Sequence, residues 1–191
     1  MSIRSKSPAA LAAALLTAGA ASLALPALSS GHSTVSALQP QGPVLTGARG
    51  TFVVRSPNET EAQSTFKIVL FVPAALQESF SVQQSPDWKI KITRKDTGKT
   101  GEGGDKVFAV TRVSWTAKTK DAEIEPSMFG QWAVRWVNPI TPQQACFPIW
   151  QYYRNRDGKR MRPEVVKWVG DPATAEHPRS CIDVVASAPG S

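Results

Sequence analysis

The sequence predicts an all-β fold, an antiparallel β-sandwich of roughly seven to nine strands with immunoglobulin-like or cupredoxin-like architecture. Two observations carry this. Apolar and polar residues alternate with a period of two between turns, and no segment offers an apolar stripe at helical spacing. In "STFKIVLFVP", Phe66, Ile68, Leu70 and Val72 share one face; in "WKIKITR", Trp88, Ile90 and Ile92 oppose Lys89, Lys91 and Thr93. The pattern recurs in "VFAVTRVSWTA" from Val107, "MFGQWAVRWV" from Met128 and "VVKWVG" from Val165, with Pro, Gly and Asn between them. Two polar, glycine-bearing stretches read as hairpin loops: "KDTGKTGEGGDK" at 95–106 and "RNRDGKRMRP" at 154–163, the latter with a basic tip. Trp88, Trp115, Trp132 and Trp136 lie on the apolar phase and are core candidates, while Trp150 and Trp168 sit nearer the loops.

Residues 1–31 read as a secretory signal peptide. Arg4 and Lys6 form a basic start, an Ala/Leu-rich run follows to Leu25, and Pro26 opens a segment of small residues. An uncleaved membrane anchor is the rival reading, opposed by Pro26 and by the excess of alanine over leucine. Cleavage after Gly31 leaves one domain at 32–186 and a short, polar, disordered tail at 187–191. It takes the net charge from +7 to +5, because Arg4 and Lys6 are the only charged side chains lost. The remaining bases are scattered along the chain, which reads as solubility, with no nucleic-acid footprint and no stable membrane anchor.

Cys146 and Cys181 are the only cysteines, and in an exported chain they predict a disulfide. Asn58 opens an N-x-T sequon in a turn after Pro57, a glycosylation site if the host glycosylates. Catalytic templates fail for lack of parts: His32 and His177 are the only imidazoles, and there is no GxSxG elbow, no HExxH and no free-thiol dyad. Metal binding through one unusual group remains. Exposed at a mature N-terminus, His32 offers an α-amine and Nδ1 that close a six-membered chelate ring on one ion. A free α-amine has a pKa of about 7.7–8.0 and gives up its proton readily near neutrality. Two nitrogens at fixed geometry suit Cu(II).

Taken in order, "GHSTVSALQP", "RGTFVVRSPNETEAQSTFKIVLFVP", "PDWKIKI", "VSWTA", "EIEPSMFGQWAV", "CFPIWQYY", "VVKWVG" and "EHP" resemble the YcnI-like copper-binding domain family of exported proteins. The resemblance implies a β-sandwich that holds Cu(II) through a monohistidine brace, with a role in extracytoplasmic copper trafficking and no catalytic reaction. It implies His32 as the bidentate ligand and Trp168 as the tryptophan beside the metal. The family's glutamate, expected from a G-E-F motif, is matched here by "SMF", which places Met128 at the carboxylate position. A thioether is a soft donor that favours Cu(I), and Glu125 or Glu123 just upstream are alternative oxygen donors. His177, in "EHP", matches a histidine outside the family's metal site and reads as structural.

The expected function is a secreted copper chaperone or scavenger that exchanges copper with donor or acceptor proteins. Two other classes stay open: a polysaccharide-oxidising copper monooxygenase, which needs His177 as a second imidazole, and a metal-free immunoglobulin-like interaction module. Cleavage after Ser29 would leave His32 in third place and create a different, square-planar Cu(II) site. N-terminal sequencing of the exported protein is expected to read His-Ser-Thr; a start at Ser30 would replace the two-donor chelate with that site.

Overall fold

The structure, a computed structural model, describes residues 31–39, 42–157 and 163–187. The expected leader apart from Gly31, the loop tip at 158–162 and the tail at 188–191 lie outside the described residues.

Twelve strands are present among the described residues, against the seven to nine expected. A four-stranded sheet has the order β1 (Thr34–Gln39), β3 (Arg49–Pro57), β8 (Phe129–Val137), β5 (Ser81–Val82). A five-stranded sheet has the order β11 (Glu164–Trp168), β10 (Ile149–Asn155), β4 (Gln63–Phe71), β7 (Lys106–Ala117), β6 (Trp88–Thr100). The third sheet is β2 (Val44–Leu45), β12 (Ser180–Val185), β9 (Gln143–Phe147). Every pairing is antiparallel except β2 with β12. The excess over the expected count comes partly from β2 and β5, each two residues long and too short to show alternation. The glycine-rich stretch at 95–106 is mostly ladder: Thr100 pairs with Lys106, so the loop shrinks to the turn between them.

The core is one cluster between the two larger sheets, and the four tryptophans expected there are buried: Trp88, Trp115, Trp132 and Trp136. Trp132 packs edge-on to Trp88 at 5.0 Å and stacks against Trp115 at 5.5 Å, which joins the sheets across the sandwich. Gly130 makes room for this, since a Cβ there would come within 2.7 Å of the Trp132 ring and 2.8 Å of Ile124. Ile68, Leu70 and Val72 point inward as the alternation requires, but Phe66 does not. Tyr152 pairs with Lys67 and Tyr153 with Thr65, so Phe66 is the extra residue of a β-bulge. Its ring turns toward Tyr152 and lies under the Arg154 guanidinium, 5.0 Å away.

Cys146 and Cys181 form the expected disulfide between paired positions of β9 and β12. Ser180, beside it, clips the start of the chain: its Oγ accepts from the Val35 amide at 2.8 Å and donates to the Val35 carbonyl at 3.2 Å. The bridge closes a loop with a sequence separation of 35, which in the chain-entropy account stabilises the fold by roughly 3–4 kcal/mol. Cys146→Ser with Cys181→Ser is therefore expected to lower the unfolding free energy by about that amount in urea titrations. No change in the midpoint would mean that the bridge adds nothing to the β9–β12 ladder.

Candidate metal centre

Gly31, His32 and Ser33 lead into β1, the edge strand of the four-stranded sheet, and Trp168 ends β11, an edge strand of the five-stranded one. The His32 and Trp168 ring centroids are 5.1 Å apart, their planes inclined by 50°. His32 is half-buried and Trp168 is buried. Two residues far apart in the chain, which the family resemblance placed at one site, are thus in contact.

Gln151 holds this arrangement. It sits on the inward phase of β10 between Ile149 and Tyr153 and is fully buried. Its Oε1 accepts from Ser33 Oγ at 3.2 Å and from Trp168 Nε1 at 3.3 Å. Its Nε2 donates to the Pro57 carbonyl at 2.7 Å and to Thr65 Oγ1 at 2.8 Å. Because Ser33 spends its only proton on Gln151, the 2.7 Å contact between Ser33 and buried Ser56 is a bond that Ser56 donates. One amide therefore ties the residue after His32, the end of β3, the middle of β4 and the ring of Trp168 to β10.

A second buried amide shapes the loop after β3. Asn58 Nδ2 donates to the carbonyls of Gln63 and Ile124, both at 2.8 Å, and Asn58 Oδ1 accepts from the Thr60 amide at 3.0 Å. This is an Asx-turn locked from both sides. The glycosylation expectation fails here: Asn58 is 1% exposed and both protons of the nitrogen that would carry a glycan are already donated. What the turn does instead is present the next residue, Glu59. A Cβ built on Gly31 would lie 1.9 Å from Glu59 Oε2 and 2.2 Å from Oε1. Glycine suits this position because φ is +129°, a conformation that L side chains rarely adopt. The Glu59 carboxylate thus abuts the residue whose peptide bond leads into His32. Nearby, Tyr153 is pushed well above the ordinary phenol range by burial, with a Thr65 hydrogen bond acting the other way and the negative charges of Glu59 and Glu164 adding to the rise.

The other expected donors are placed elsewhere. Met128 is 57% exposed and lines a groove with Asp87, Trp88, Glu123 and Trp132, a set that includes neither His32 nor Trp168. It touches the site region through its backbone, where its carbonyl accepts from the Asn58 amide at 2.8 Å. Glu125 is ion-paired with Arg156 at 2.7 Å. Glu123 is buried against Arg154 and accepts a hydrogen bond from Ser64. His177 lies edge-on to Trp168 at 5.0 Å, so both imidazoles neighbour the same indole. Among the described residues, no three of His, Cys, Asp or Glu cluster as a ready-made metal cage. The carboxylate placed next to the residue before His32 is that of Glu59.

Residues 32–184 match the family model described as domain of unknown function DUF1775. The chain belongs to the DUF1775 family, the YcnI-like family. It is similar to the copper-binding protein CutI of Bacillus subtilis strain 168, 28% identical over 141 residues. That match covers 74% of this chain and 58% of CutI, so the chain spans little more than half the length of that relative. Among solved structures it is similar to an uncharacterised Nocardia farcinica protein with an immunoglobulin-like fold, at a TM-score of 0.62 and 23% identity, over 80% of this chain and 97% of that one. The immunoglobulin-like half of the fold expectation is thereby the correct one.

Sequence reasoning missed Glu59 and Gln151. Glu59 stood in "SPNET", read for its sequon and as part of the family resemblance but not as a ligand, and Gln151 was a polar residue on the core phase of "IWQYY". Gln151→Leu removes four hydrogen bonds at once and leaves Ser33, Thr65, the Pro57 carbonyl and Trp168 Nε1 short of partners. The variant is expected to lose about 2–4 kcal/mol of stability in urea and to change the Trp168 environment in near-ultraviolet circular dichroism. Wild-type stability in the variant would show that water replaces the amide without cost.

Proposed function

We propose that this protein is an exported copper-binding protein, a chaperone or scavenger without a catalytic reaction, that takes up Cu(II) through His32 once the leader is cut after Gly31. The observation that carries the reading is the position of Glu59: its carboxylate fills the space that any side chain at residue 31 would need, beside the nitrogen that cleavage turns into the α-amine. The α-amine and Nδ1 of His32 supply two nitrogens, and Glu59 supplies an oxygen, a donor set that fits a tetragonal Cu(II) site. Trp168 walls the site and limits water, and Gln151 keeps that indole and Ser33 in register. The similarity to CutI, a protein named for binding copper, supports the choice of metal. The Cys146–Cys181 bridge supports an oxidising compartment outside the cytoplasm. Donor or acceptor proteins would reach copper at this edge of the sandwich, where His32 is half-buried and Glu59 exposed.

Calorimetric titration of the mature chain with Cu(II) tests the reading. His32→Ala is expected to abolish tight binding, and Glu59→Gln to weaken it by about 10–100-fold, the scale on which supporting groups at metal sites act. Met128→Leu and Glu125→Gln are expected to bind as the parent does. Retention of tight binding in His32→Ala would sink the proposal, whereas loss in Met128→Leu with none in Glu59→Gln would return the third donor to the thioether.

A further inference from the structure

The outer face of the five-stranded sheet is a second candidate site. Registers across β6, β7, β4, β10 and β11 align outward-pointing residues in rows. One row runs Lys89, Thr116, Lys67, Tyr152. The next runs Lys91, Ser114, Val69, Trp150, Lys167, and a third starts Thr93, Arg112, Phe71. Five cations lie in these rows, and no Asp or Glu occupies any position in them. The chain has 22 Lys and Arg against 15 Asp and Glu, with two of the bases in the expected leader. The five are a quarter of the 20 bases left once Arg4 and Lys6 are set aside. Bases that look scattered along the sequence are gathered by the sheet.

The surface is shaped as well as charged. Small side chains at Val69 and Ser114 floor a shallow trough, flanked by Lys91 and Arg112 on one side and by Trp150 and Tyr152 on the other. The two aromatic faces are already taken by cations: the Lys167 ammonium lies 4.9 Å from the Trp150 centroid, and that of Lys67 4.9 Å from the Tyr152 centroid. Those contacts hold the ammonium groups over the face at fixed places. With a cation over one face of each, these rings offer a nucleobase less stacking surface than the open platforms by which single-stranded nucleic acids are usually gripped.

We infer that this trough binds a linear phosphodiester polymer of sugar or polyol units, held by Lys67, Lys89, Lys91, Arg112 and Lys167 through its phosphates. Residues two apart on a strand stand about 6.5–7 Å apart and neighbouring strands about 4.8 Å apart, so the rows present a lattice of positive charge to successive phosphates. On the proposed reading, which places the chain outside the cytoplasm, binding such a polymer would retain the copper site, walled by Trp168 on the inner face of the same sheet, near the cell envelope.

Binding of the mature chain to purified poly(glycerol phosphate), followed by fluorescence anisotropy over a range of salt, tests this. The expected result is an affinity that falls linearly with salt on logarithmic axes and a loss of more than about tenfold in Lys91→Glu with Arg112→Glu. Arg49→Glu with Arg135→Glu, the same charge change made away from this face, is expected to bind as the parent does. Lys89→Gln with Lys91→Gln, which adds no negative charge, guards against misfolding of the reversal variant and is expected to weaken binding in the same direction. Equal losses in the two Glu pairs would overturn the site. Tighter binding to oligothymidylate of equal phosphate number, or to phosphatidylglycerol vesicles, would overturn the choice of polymer.

Discussion

Burying an amide inside an apolar sandwich costs several kcal/mol unless its donors and acceptor are met, and Gln151 meets them with groups from four different segments. That requirement organises the open edge of the molecule. β1 and β11 are both edge strands, in different sheets, and neither has a partner on its outer side to hold it. The amide of Gln151 gives them a common anchor through Ser33 and the Trp168 indole, and Ser180 clips β1 to β12 from the other side. The His32–Trp168 contact is the by-product of satisfying one buried polar group.

The loop carrying Glu59 follows the same logic one layer out. Asn58 is buried because its amide replaces backbone pairing between the end of β3, the start of β4 and Ile124. The turn it forces projects Glu59 toward Gly31, where the carboxylate occupies the space beside a glycine held at positive φ. On the proposed reading, processing acts on this point of the fold. A neutral peptide group beside Glu59 gives way to an amine, and the carboxylate gains a partner that the precursor lacks. Leader removal and assembly of the donor set then become one event.

Much of the fold was legible because period-two alternation reports directly which side chains face the core, and the tryptophans of β6, β7 and β8 were found that way; the Cys146–Cys181 bridge followed instead from two cysteines in an apparently exported chain. Features without a periodic signature were not. Phe66 broke phase because a bulge opposite Tyr152 and Tyr153 spends one residue, and a bulge is set by the partner strand. The ladder through the glycine-rich 95–106 stretch was hidden because its residues are polar on both faces. At the site, His32 and Trp168 were visible from the leader and from the family resemblance. The third donor was sought at Met128 by matching a short strand motif. Folded, that segment lends a backbone carbonyl to Asn58 while its thioether lines another groove. Glu59 was obscured because a sequon suggested a surface turn, and only the hydrogen-bond partners of Asn58 reveal that the turn is buried and its successor exposed.

Alternation also explains how one strand serves two surfaces. In β11, Val166 and Trp168 face inward, where Trp168 meets His32, while Val165 and Lys167 face out, where Lys167 covers Trp150. A register slip of a single residue between β10 and β11 would carry Lys167 into the core and Trp168 into solvent, destroying both surfaces together. The Gln151–Trp168 hydrogen bond opposes that slip on the inner face, and the Lys167–Trp150 contact opposes it on the outer. The proposed metal site and the proposed polymer site are therefore chemically independent, sharing no ligand, yet mechanically joined through the register of one edge strand.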